Sequence, residues 1–445
     1  MAQASALPIL RSDLALHPGP ALPGGEQSWT IFDPASNRFF RIGWLEFEVL
    51  RRFNLAKTVA DLCDLLRRET VLRVEPDDIE HLSRFLVQND LIVQPPRAST
   101  KRFTAMNDKR QKPLWERALH GYLYFTVPIL RPRRFLKALM PYAAPLLTQG
   151  FFMAMMALLA FGVMLTARRW DEFVHTAIAS FTLQGLAAGA LAFIGVKLVH
   201  EMAHALMATK YGVRVASMGV AVMVLYPVLY TETSGAWKLT RKKPRLLIGG
   251  AGMLAELCLA AIALLVWHIV PDGGVKSAAF FVAFISLAGT LAVNLNPLMR
   301  FDGYFLLSDA LGMDNLQQRG FALARWNLRR ILFGWNDEPP EYLSPALHRT
   351  TLIYSYATWV YRFFLFLGIA LLVYHLFFPP LGLAMMMVEL GWFIGLPILS
   401  ELKVWSERRE HITWNRNTKR LAWLGGACFL LLIFPWSGRI TAPAM

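Results

Sequence analysis

The feature that most constrains this chain is a recurrence of apolar stretches long enough to cross a bilayer, at about 148–167, 179–207, 245–270, 276–297, 352–378, 381–402 and 421–437. A hydrocarbon core about 30 Å thick needs roughly 20 residues of helix, and inside it only helices or closed barrels satisfy their own backbone polar groups. The chain is therefore expected to be mainly α, a polytopic helical membrane protein of about seven spans. An apolar content of 55% over 445 residues excludes an ordinary soluble globule. A shorter run, SMGVAVMVLYPVLY, lies between the second and third stretches. Its length and internal proline predict a re-entrant hairpin instead of a span.

Charge placement sets the expected topology. The 46 Lys+Arg against 31 Asp+Glu give a net charge of +15, an excess that suits nucleic acid, anionic lipid or cytoplasmic loops. Lys238, Arg241, Lys242, Lys243 and Arg245 share one loop, and Lys403, Arg408, Arg409, Arg416, Lys419 and Arg420 another. Both loops fall on the side of the N-terminus, whereas the opposite loop PDGGVKS carries a single lysine. The N-terminus is thus expected in the cytosol and the C-terminus outside it, with membrane lipid the partner of the basic residues. The N-terminal residues lack the continuous apolar core of a cleaved signal peptide. Cys63, Cys258 and Cys428 are far apart and show no CxxC spacing, so no disulfide framework is expected.

Ahead of the spans, residues 1–26 are rich in Ala, Pro and Gly and read as a flexible tail. Residues 27–96 carry a hairpin signature, WTIFDP and RFFRIG, three helical patterns near 43–53, 57–69 and 76–88, and a closing strand LIVQPP. In the second helix Val59, Leu62, Leu65 and Leu66 share a face, and Thr58 with Asp61 forms a capping box. This order predicts a small α+β winged-helix-like domain in the cytosol. Residues 97–147 read as a basic linker and interfacial segment around GYLYFTVPIL, residues 148–437 as the membrane domain, and 438–445 as an extracytoplasmic end. A winged helix beside a basic run raises DNA binding as an alternative. The third helix, PDDIEHLSRFLVQND, begins acidic, which opposes phosphate contact, and no nucleic-acid partner is expected.

The chemistry sits in His200-Glu201-Met202-Ala203-His204, at the end of the second span. Helical residues four apart share a face, so both imidazoles can reach one metal, with Glu201 beside its water as general base. Ionisable groups at bilayer depth are costly and mark function; the alternative is a polar pair used only in helix packing. A catalytic zinc takes three protein ligands and keeps one position open. The third candidate is Asp302, in Asn294-Leu295-Asn296-Pro297-Leu298-Met299-Arg300-Phe301-Asp302-Gly303 at the end of the fourth span. Pro297 breaks the helix and Gly303 permits a tight turn; alternatively, Asp302-Gly303 is a surface turn. Two imidazoles and a carboxylate favour Zn2+. Asn294, Asn296 and Glu232 are candidates for substrate contact, with a cap at the membrane edge the alternative for Glu232.

These two motifs resemble the signature of the site-2 proteases, membrane zinc metallopeptidases that couple HExxH in one span to N-x-x-P and a following D-G in a later one. His200, Glu201 and His204 match the first motif, and Asn294, Pro297, Asp302 and Gly303 the second, within residues 180–305. The resemblance implies metal ligands at His200, His204 and Asp302, a catalytic base at Glu201, and an Asn294 that positions the substrate strand. An Ala-Gly-Pro…Asn run common in the family is replaced here by GGAGMLAE, with Met253 and Glu256. The branch it most resembles comprises peptide zinc metalloproteases of peptide-maturation and export systems. That implies a bacterial inner membrane, a membrane-associated or leader-bearing peptide or a membrane-protein substrate, and a secretion adaptor or exporter as partner. Residues 28–95 are similar to leader-peptide recognition domains, in which a peptide adds a strand beside a hairpin. The competing expectation is a non-proteolytic membrane component of a peptide export complex. A purely structural metal site needs no base, so Glu201 weighs against it.

Overall fold

The computed structural model describes residues 7–19, 27–34, 38–93, 124–180, 182–223, 226–413 and 415–420, with isolated positions at 423, 426 and 427. The protein is a mainly helical polytopic membrane protein. Two compact units divide it, Met1–Met313 and Asp314–Met445.

The first unit opens with β1 (Ala15–Pro18), β2 (Trp29–Asp33) and β3 (Arg38–Ile42), an antiparallel sheet in that order. Trp29 pairs with Ile42 and Phe32 with Phe39, the expected hairpin. Three helices follow, α1 (Trp44–Arg52), α2 (Val59–Glu69) and α3 (Pro76–Gln88). Thr58 and Asp61 form the reciprocal capping box, both bonds 3.2 Å. Ile31, Phe53, Leu62, Leu66, Ile79, Leu86 and Leu91 close a separate core.

Two expectations change here. The tail assigned to residues 1–26 contains β1, and Leu7, Leu10 and Leu14 pack on the core. These apolar residues are spaced among Pro and Gly, so periodicity hid them, and β2 supplies the partner that makes a strand of residues 15–18. Among the described residues, the closing strand LIVQPP shows one bridge, Ile92 with Leu10.

From residue 124, within the segment read as linker and interface, come β4 (Tyr124–Leu130) and α4 (Arg133–Ala143), then α5 (Gln149–Arg168), α6 (Trp170–Ala179) and α7 (Leu183–Lys210). The run expected as a hairpin forms β5 (Met218–Met223) and β6 (Tyr226–Thr231), with β4 completing a three-stranded sheet in the order β4-β5-β6. The segment read as interfacial thus supplies a strand, Val127 opposite Val220. Next are α8 (Lys242–Ile269) and α9 (Gly274–Ala288), the latter continuing as a π turn (Gly289–Asn294). The unit ends with α10 (Asp302–Leu311).

Among the described residues, six helices are long and apolar enough to cross a membrane, four of them in the first unit. Half of the apolar window of α8 is buried, against a third or less for the others. Its run GGAGMLAELCLAA explains why: without a hydrophobic drive in lipid, helices associate through small residues that let backbones approach. Outward-facing Leu186, Leu191, Ile194 and Leu198 leave α7 an apolar flank suited to acyl chains. The second unit holds α11 (Leu316–Phe333), α12 (Pro345–Leu376) and α13 (Pro379–Glu389), which passes through a π turn (Leu390–Gly395) into α14 (Leu396–Glu407). The seventh stretch, 421–437, and the end at 438–445 lie outside the described residues but for isolated positions.

Leu66 has no exposed surface whereas the Arg67 side chain is 63% exposed. Leu66→Ala is expected to destabilise the N-terminal domain by about 2–5 kcal/mol, and Arg67→Ala by less than about 0.5 kcal/mol. Proteolysis of the intact protein across a urea series, read from cleavage within residues 38–93, checks both.

Candidate metal centre

The two histidines lie one turn apart on α7, both buried, their ring centroids 4.8 Å apart. His204 Nδ1 lies 2.7 Å from the carbonyl oxygen of Ile248 on α8. A carbonyl can only accept, so Nδ1 carries the proton and the lone pair of His204 is left on Nε2. His200 Nδ1 lies 2.8 Å from a carboxylate oxygen, Glu256 Oε1, a close contact without hydrogen-bond geometry, and its Nε2 faces inward.

Asp302 reaches the same point from a different element. The π turn ends at Asn294, Pro297 prevents the helix from continuing, and α10 restarts at Asp302. At the first position of that helix the carboxylate also faces the positive end of the helix dipole. Gly303 is dictated by packing, since a Cβ there would overlap the carbonyl of Leu295.

Donor atoms of His200, His204 and Asp302 lie within 4.8 Å of one another. The two Nε2 atoms are 3.1 Å apart, and Asp302 Oδ2 is 3.0 Å from His200 Nε2 and 3.4 Å from His204 Nε2. Tetrahedral zinc with bonds of about 2.0–2.1 Å sets its ligand atoms about 3.3–3.4 Å apart, so the spacing fits such an ion closely. Asp302 Oδ2 is buried and takes no hydrogen bond of acceptable geometry despite these neighbours. That is the behaviour of a carboxylate oxygen aimed at a cation. Burial opposes ionisation of Asp302, but the two imidazoles outweigh it and hold the carboxyl well below its ordinary range. The residues present therefore fit a zinc ion.

Glu201 follows His200 on α7, half-buried, with its carboxylate within electrostatic reach of both histidines and Asp302. Its backbone carbonyl accepts the Thr231 hydroxyl at 3.1 Å, which seats the end of β6 against the motif.

The candidates for substrate contact are placed differently. Asn294 is buried and donates Nδ2 to Glu256 Oε2 at 2.9 Å. Asn296 Oδ1 accepts the backbone N–H of Leu298 at 2.9 Å, holding the turn before Asp302. Glu232 Oε1 accepts the backbone N–H of Ser234 at 3.2 Å and the Ser234 hydroxyl, capping the turn Ser234–Lys238.

Three residues of the site escaped motif reading. Glu256 and Lys197 meet at 2.7 Å, and their signal was an ionisable side chain inside an apolar span. Gly252 is the third: a Cβ there would collide with the His200 ring, so α8 needs a glycine at the point where the imidazole lies on it. No family model, curated protein or solved structure matches the chain.

Gly252→Ala is expected to push the His200 ring off its position and weaken Zn2+ binding by about ten- to a hundredfold, the usual range for disturbing the groups that orient a ligand. Gly249→Ala, whose Cβ would make only an ordinary contact with Leu306, leaves binding unchanged. Chelator competition on the two purified variants is the check.

Proposed function

We propose that this protein is a zinc metalloendopeptidase of site-2 protease type, hydrolysing a peptide bond of a membrane-associated or leader-bearing peptide in peptide maturation or export. The observation that carries the reading is the meeting of His200, His204 and Asp302 donor atoms, with Glu201 one residue from the first. Zinc held there would lower the pKa of a water to about 7 and polarise the scissile carbonyl. Glu201 takes the proton of the attacking water and returns it to the leaving amine, which restores its carboxylate. The histidines and Asp302 would hold the metal; Glu201 is not needed for binding, and a site built only for structure has no use for it.

The substrate enters extended. β6 is an edge strand of its sheet and ends at Thr231 against the Glu201 carbonyl. A peptide that adds to such an edge satisfies its backbone groups there and brings one peptide bond towards the metal. The N-terminal domain supports capture of a leader. Lys238 Nζ lies 3.7 Å from the Phe32 ring centroid, and Arg41 sits over Trp237 at 5.6 Å, so the β2–β3 hairpin rests on the segment that continues from β6. A bacterial inner membrane, a cytosolic N-terminus and an exporter or secretion adaptor as partner complete the proposal.

The test compares the intact protein with Glu201→Gln and Asp302→Ala in membranes that carry a co-expressed leader peptide. Glu201→Gln is expected to keep about one zinc per chain and lose cleavage by at least about a hundredfold, while Asp302→Ala loses the metal. Cleavage that survives Glu201→Gln unchanged would sink the protease reading and leave the export component in its place.

A further inference from the structure

Glu256 has no exposed surface, lies in the middle of a span, and stands outside the cluster of His200, His204 and Asp302. Both of its oxygens are nevertheless committed, and to different parts of the centre. Oε1 accepts from Lys197 Nζ at 2.7 Å and lies 2.8 Å from His200 Nδ1, an ion-pair contact without hydrogen-bond geometry, both partners on α7. Oε2 accepts from the Thr290 hydroxyl at 2.5 Å and from Asn294 Nδ2 at 2.9 Å, both in the π turn at the end of α9. That turn runs directly into the loop that delivers Asp302. A π turn at this point is itself informative, because such turns are rare and recur at functional sites.

We propose that Glu256 is the positioning residue of the metal centre: one carboxylate sets the His200 imidazole through Oε1 and the Asp302-bearing segment through Oε2, fixing the separation of the ligands. Resting on the metallopeptidase reading, this deepens it. A carboxylate in close contact with the far nitrogen of a ligating histidine restrains the orientation of its ring. Here the same carboxylate also anchors the other half of the site. Lys197 keeps the buried charge balanced. The rival role for Glu256 is that balance alone, a partner for a lysine that would otherwise stand unpaired in the span.

The two roles separate in a double variant. Zn2+ affinity of the purified full chain in detergent is measured by chelator competition, and the visible spectrum of the Co2+-loaded protein reports ligand geometry. Glu256→Gln is expected to weaken Zn2+ binding about ten- to a hundredfold and to shift the Co2+ bands. Lys197→Met combined with Glu256→Gln removes the unpaired cation and is expected to stay as weak as Glu256→Gln alone. Should the carboxylate variants fail to fold, Thr290→Val leaves both charges in place and removes one bond to Oε2, with an expected two- to tenfold loss of affinity. Recovery of wild-type affinity in the double variant overturns the proposal in favour of charge balance, as does unchanged binding in Glu256→Gln and Thr290→Val. A wild-type chain that binds no Zn2+ overturns the metallopeptidase reading itself, and this inference with it.

Discussion

A carboxyl group without exposed surface inside a span is tolerated only when its oxygens are matched by donors, and the rest of this centre hangs on how Glu256 meets that condition. Its partners come from α7 and from the π turn after α9, with Glu256 itself on α8. Three helices are therefore tied at one point, and the tie lies directly behind His200. In lipid, where packing and polar contacts replace the hydrophobic drive, such a tie fixes helix register as well as helix proximity. Shifting α8 by one residue would withdraw Glu256 from both sides and Gly252 from the His200 ring together.

Much of this was legible in the sequence, and the reasons differ by element. Span existence follows from length and hydropathy, since a bilayer imposes a length and excludes unpaired backbone; hence six of the stretches reappear with ends shifted by a few residues. The meeting of the three side chains was legible because helical spacing places His200 and His204 on one face, and because a proline break after a span has to deliver Asp302 to the membrane edge. Strands were harder. β1 forms only because β2 offers an edge, and β4 only because β5 lies beside it, so neither carries a local pattern strong enough to announce itself.

Illegible parts of the site are those whose chemistry depends on partners far along the chain. Glu256 is 59 residues from Lys197 and 38 from Asn294, and no local pattern joins them. An acidic residue in an apolar span was visible as an oddity; which atoms it answered to was not. Asn294 shows the converse. Its Nδ2 is held by Glu256, which ties it to the frame of the site.

The division of labour between α7 and α8 follows from these contacts. Ligands have to be held closely enough that a cation replaces hydration without rearranging the protein, and a helix with two histidines on one face achieves this only if its rotation is fixed. α7 is exposed along most of its apolar window and is poorly placed to fix itself. α8 supplies that constraint through three different contacts: the Ile248 carbonyl sets His204, the bare Cα of Gly252 admits the ring of His200, and Glu256 orients it. These residues recur every four along α8, one turn apart, so a single helix face registers both imidazoles. The helix that carries none of the three clustered side chains thereby determines their geometry, and the helix that carries both histidines remains free to face lipid and, at Glu201, the β6 edge.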